Sequence, residues 1–118
     1  IYGLSFMIMI KFALYLPKSA SIIHKLQIIN LERNIKQLIT DGKTDEAIRL
    51  LDEYIEKNTS SDEAYYLRGN AYRKKGDIRQ ALNNYLTAME LNSDSPAQIA
   101  HDQLISIMNF YNKDMFNQ

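Results

Sequence analysis

Residues 62–95 read DEAYYLRGNAYRKKGDIRQALNNYLTAMELNSDS, and the spacing within them decides the fold. Set against residues 28–61, Gly76 falls on Gly42 and Ala81 on Ala47, each pair 34 residues apart. At the same offset Glu90 repeats Glu56, Asn92 repeats Asn58 and Ser95 repeats Ser61. A period of 34 predicts an all-α solenoid of antiparallel helix-turn-helix units, each burying its apolar face on a neighbour. Such stacks generally bind other proteins and catalyse nothing.

Local signals agree with that period. Ile22, Leu26 and Ile29, then Leu31, Ile35 and Leu38, mark a helix over residues 21–40. Asp41-Gly42-Lys43 stops it, because glycine closes a helix in the left-handed conformation without a Cβ penalty. Thr44 is the expected N-cap of the next helix, which carries Ala47, Ile48, Leu51, Tyr54 and Ile55. Ser60 with Glu63 makes a capping box for a third helix, closed by Lys74-Lys75-Gly76. Asp77 with Gln80 opens a fourth, carrying Ile78, Ala81, Leu82, Tyr85, Ala88 and Met89. Ser95 caps a last helix with Pro96 at its first position, where the missing N–H costs nothing. That helix is expected to present Ala100, Leu104, Ile107 or Met108, and Tyr111. The organisation expected is an N-terminal extension over 1–27, units over 28–61 and 62–95, a capping helix over 96–112 and a tail over 113–118 that folds back or frays.

Bulk composition narrows the function. The 118 residues suit one domain, and 14 acids balance 14 bases, which removes a global attraction to nucleic acid or anionic membrane. Residues 1–30 hold Lys11, Lys18 and Lys25 and no acid, so the remainder is net −3 (11 bases minus 14 acids). Cysteine is absent, which excludes disulfides, zinc–thiolate sites and thiol nucleophiles. A reducing, cytoplasmic compartment suits that composition.

The apolar run Ile1–Leu16, broken by Lys11 and ended by Pro17, is shorter than the roughly 20 residues that span a bilayer. Ser19-Ala20-Ser21 resembles a cleavage site, yet no base precedes the apolar run. Three readings stay open: a packed or loosely attached segment, a translated upstream stretch outside the natural domain, and a targeting or membrane segment. The last would make the protein a membrane-tethered accessory subunit.

The segment from Tyr65 resembles a tetratricopeptide repeat, whose pattern is W-x2-L-G-x2-Y, then A-x3-F, then P. Tyr65 stands at the Trp position, Gly69 at the Gly, Tyr72 at the Tyr, and Ala81 and Tyr85 at the Ala and Phe. Gly76 and Ala88 match further small positions, whereas Arg68 replaces the Leu and Ser93 the Pro. The first unit matches less closely: Gly42 and Ala47 agree, Leu31, Leu38 and Leu51 stand in for aromatics, Ile35 for a Gly, and Tyr54 occupies a small-residue position. Residues 31–118 also look like short bacterial proteins with two such repeats and a cap, which begin near the position of Leu31.

The resemblance implies a concave groove lined by the first helix of each unit, with a peptide or protein partner and an adaptor or scaffold role. The positions that face it in the family fall on Glu63, Tyr66, Asn70, Arg73 and Lys74, and in the first unit on Glu32, Lys36 and Ile39. One subgroup clamps a terminal carboxylate with a Lys and an Asn on one helix. Asn70 matches the Asn, but Tyr66 stands where the Lys belongs, so chaperone-tail binding is not expected. Tyr66→Ala with Arg73→Glu is expected to leave folding intact and abolish partner capture. Two units are few for a stack, which favours either an added helix within residues 19–30 or a homo-oligomer.

Catalytic chemistry finds little support. His101 and Asp102 are adjacent and are expected to point about 100° apart on a helix. No Gly-rich phosphate loop, H-E-x-x-H or G-x-S-x-G occurs, and no cofactor or metal is expected. Arg68, Arg73, Lys74, Lys75 and Arg79 form a basic cluster. It reads as a solvated helix end that complements the dipole, with RNA binding as the alternative.

Overall fold

The computed structural model of the protein describes the backbone of residues 17–116, and the side chains of residues 21–112. The apolar run 1–16, with its competing readings, lies outside the described residues. Five helices follow in order: α1 (Pro17–Thr40), α2 (Thr44–Lys57), α3 (Asp62–Lys75), α4 (Ile78–Leu91) and α5 (Ala97–Phe116). No strand occurs among the described residues. The chain divides into two compact units after Asn34, inside α1. In the first unit, α1 leaves Ile22, Ile23, Leu26 and Ile29 exposed.

In the second unit each helix packs on the next: α2 on α3, α3 most extensively on α4, and α4 on α5. The two glycine turns are copies of one motif. Gly42 has φ 81° and Gly76 has φ 95°, and both are exposed with open space around them. Around Gly42, Lys43 N–H donates to Leu38 O (2.8 Å) and Gly42 N–H to Ile39 O (3.1 Å). Around Gly76, Asp77 N–H donates to Tyr72 O (2.9 Å) and Gly76 N–H to Arg73 O (3.1 Å). This paired bonding satisfies orphan carbonyls at a helix end and requires a left-handed residue. The 34-residue offset is therefore a repeat of backbone geometry as well as of sequence.

The core of the unit gathers Ala81, Tyr85 and Ala88 of α4 with Ala97, Ala100 and Leu104 of α5. Tyr65, Tyr66 and Tyr72 of α3 pack against it. Small residues at the crossing let α3 approach α4: a Cβ on Gly69 would lie 2.5 Å from Tyr85 Cε1 and 3.3 Å from the Ala81 carbonyl oxygen. A second buried set on α3, Ala64, Leu67 and Ala71, lies about a third of a turn away. Burial on two faces is what the middle helix of a stack requires. Ala47, Leu51 and Ile55 of α2 are buried likewise, as is Ile35 of α1.

The helix ends differ from expectation in detail. Ser61, not Ser60, caps α3, its Oγ accepting from Ala64 N–H at 3.3 Å. Thr44 is the first residue of α2 and is buried, and no side chain caps that helix. Asp77 and Ser95 cap as expected, accepting from Gln80 N–H (3.2 Å) and Ala97 N–H (3.2 Å). The last helix runs on to Phe116 instead of ending near residue 112, since residues 97–116 contain neither Gly nor Pro to stop it.

Candidate functional site

α3 offers its first-helix face to solvent beside α5, and the residues assigned to a groove fall along it. Tyr66, Asn70 and Arg73 are half-buried, whereas Glu63 and Lys74 are exposed. The half-buried three converge on one residue of α4. The Tyr66 ring lies 6.1 Å from the Tyr85 ring, tilted by 38°. The Tyr85 hydroxyl donates to Asn70 Oδ1 at 2.6 Å. Burial raises the Tyr85 pKa above its ordinary value, while the nearby Arg73 guanidinium pulls the other way. Tyr85 is thus a packing residue that also holds Asn70, a double role the repeat pattern does not reveal.

Tyr66 is consequently part of the core as well as of the surface. Its removal takes a ring from the packed cluster, so Tyr66→Ala is expected to cost stability as well as binding surface. Asn70 has its side-chain oxygen committed to Tyr85, which leaves its amide N–H groups for a ligand.

Beyond Arg73 opens a cleft of about 470 Å³ whose opposite wall is α5, through Ile99, Asp102, Gln103, Ser106 and Ile107. Sequence reasoning missed this wall. Carrying the α3 groove positions forward by 34 gives Ala97, Ala100, Leu104, Ile107 and Met108. The first three are buried against α4, so α5 is rolled about its axis relative to α3. Of the residues the last helix was expected to present, Ala100 and Leu104 are buried, whereas Ile107, Met108 and Tyr111 are exposed.

Within the second compact unit, Lys36 and Ile39 do not line the cleft. Lys36 is exposed and Ile39 half-buried near the end of α1, and Glu32 is half-buried in the N-terminal unit. His101 and Asp102 do meet, Nδ1 to Oδ1 at 3.3 Å, despite their adjacent positions. Three of the five clustered bases are engaged within the protein. Arg68 donates to Asp52 and to Asn84, Arg73 acts on Tyr85, and Lys75 donates to Asp45 at 2.6 Å. The hydrogen bond to Asp45 and its charge raise the Lys75 pKa. Among the described residues, no group of three or more His, Cys, Asp or Glu side chains is placed to hold a metal. No described helix is long and apolar enough to cross a membrane.

The model of the tetratricopeptide repeat matches residues 62–95. Among solved structures, the solution NMR structure of Bacteroides fragilis protein BF1650 is 52% identical, covers 74% of this chain and 89% of its own, and superposes with a TM-score of 0.65. No curated protein matches the chain.

Proposed function

Since the chain belongs to the tetratricopeptide repeat family, whose members generally mediate protein–protein interactions, we propose that it captures a peptide or protein partner in the groove between α3 and α5. Its role is that of an adaptor or scaffold. The observation that carries the reading is the convergence of Tyr66, Asn70 and Arg73 on buried Tyr85 at the edge of an open cleft. Fixed side chains lose little rotamer freedom on binding, so a pre-organised wall favours affinity. The partner's apolar side chains meet Ile107, and its polar groups meet Asn70, Arg73 and Lys74.

Peptides selected for binding to the immobilised parent chain test this. The variant Arg73→Glu with Lys74→Glu, checked for helicity by circular dichroism, is expected to bind those peptides at least about tenfold more weakly, a loss of about 1.4 kcal/mol. Equal affinity for parent and folded variant would remove α3 from the binding surface.

A further inference from the structure

One face of α5 has no counterpart in the way α3 is used. Ile99, Gln103, Ser106 and Phe110 are spaced i, i+4, i+7, i+11 and lie within about 60° of one another around the helix. All four are exposed, Ile99 and Phe110 each at 65%. Thirty-four residues earlier, the same positions are Tyr65, Gly69, Tyr72 and Gly76. On α3 the first three of these are the face that packs against α4, down to the close approach of Gly69 to Tyr85. The face of α5 that should clasp a helix is therefore uncovered by any described element.

We propose that this face pairs with the α5 of a second copy of the chain, the two helices running antiparallel about a two-fold axis. The stripe is self-complementary under that operation. With Ile99 placed opposite the partner's Phe110, Gln103 falls opposite the partner's Ser106, so apolar contacts close both ends and polar groups meet in the middle. The stripe itself carries no charge, so two copies approach without like-charge repulsion. From Ala97 to Asn112 there is no Lys or Arg, which disfavours an anionic membrane or a nucleic acid as the occupant. Pairing also joins two short stacks into one longer array, which answers the shortage of repeat units. Ile99, Gln103 and Ser106 are also the far wall of the cleft, so the inference rests on the same surface as the proposed function and names an occupant for its α5 side.

One helix pair is a small interface of the weak class, so association belongs at micromolar or higher concentrations. Sedimentation equilibrium of the full chain is expected to move from 13.7 kDa toward twice that mass between about 10 µM and 1 mM. Ile99→Lys with Phe110→Lys, both at exposed positions, is expected to keep its helicity and stay monomeric throughout. Orientation is read separately, using the absence of natural cysteine. A bis-maleimide of about 8 Å reach, matching helix packing distances, should cross-link the Ile99→Cys, Phe110→Cys double variant into dimers. It should not link Ile99→Cys alone, whose two copies lie about 16 Å apart along the axis. A parent chain monomeric at 1 mM, a dimer indifferent to the two lysines, or efficient linking of Ile99→Cys alone each overturns the pairing. Peptide capture by a monomeric parent would leave the proposed function standing, and a dimer that captures nothing would sink that function alone.

Discussion

At the scale of single residues, Tyr85 links the packed core to the polar face of α3. It is fully buried, yet its hydroxyl donates to Asn70 and feels the charge of Arg73. Burial raises its pKa above the ordinary 10.0. In the unfolded chain the phenol ionises near pH 10, while in the folded chain it holds its proton longer. The folded state then binds more protons, so its contribution is whole below about pH 10 and is lost as pH rises through the folded value. Tyr85→Phe removes that dependence together with the hydrogen bond to Asn70. It is expected to cost about 1 kcal/mol at pH 7 and to show a shallower loss of stability above pH 10 than the parent. Urea titrations at pH 7, 9, 10 and 11 provide the check, and parallel alkaline slopes would refute it. The sequence made the packing role of Tyr85 legible, because it holds the repeat's aromatic position. It hid the polar role, because Asn70 is 15 residues away and only the fold brings the two together.

At the scale of elements, the turns were the most legible part and the pairings between helices the least. A glycine with φ near 90° is a local demand, so Gly42 and Gly76 announce their turns from sequence alone. Ser60 and Ser61 offer the same chemistry one residue apart, and local pattern does not choose between them. Arg68 was legible as part of a basic cluster at a solvated helix end and as a departure from the repeat's Leu. In the fold its Nε donates to Asn84 Oδ1 on α4 at 2.7 Å and its Nη1 to Asp52 Oδ1 on α2 at 2.8 Å, with the guanidinium 5.2 Å from the Tyr65 ring centre. One side chain therefore ties three consecutive helices. Asp52 is exposed, so that ion pair adds little, whereas Asn84 is only 4% exposed and depends on its partner. Arg68→Ala leaves the Asn84 oxygen without its donor and is expected to cost about 1–3 kcal/mol. Arg68→Leu with Asn84→Leu, which removes both partners, is expected to cost less than the two single changes added. Chemical denaturation of the four-member cycle decides, and additivity within about 0.5 kcal/mol would show the pair uncoupled.

At the scale of the whole second unit, α5 is a structural member of the stack before it is a wall of the groove. α4 buries Ala81, Tyr85 and Ala88, and the residues completing that cluster come from α5: Ala97, Ala100 and Leu104. The roll of α5 follows from this. The positions that carry Glu63, Tyr66 and Asn70 on α3 carry small and apolar side chains on α5, and these find more burial on α4 than in water. The 34-residue pattern does not encode the roll, because the positions correspond while the residues at them have changed from Glu63, Tyr66 and Asn70 to Ala97, Ala100 and Leu104. Two leucines measure the consequence with identical chemistry. Leu104 is 3% exposed, and Leu86 on the outer side of α4 is 43% exposed. Leu104→Ala is expected to cost about 2–5 kcal/mol and to lower Tm by roughly 10 °C or more. Leu86→Ala, half of whose side chain already meets water, is expected to stay near 1 kcal/mol. Thermal melts at a few micromolar, below the range of self-association, separate packing within one chain from pairing between chains. Equal melting temperatures for the two variants would mean that α5 lies on the surface without holding it together, and the groove would then have one fixed wall instead of two.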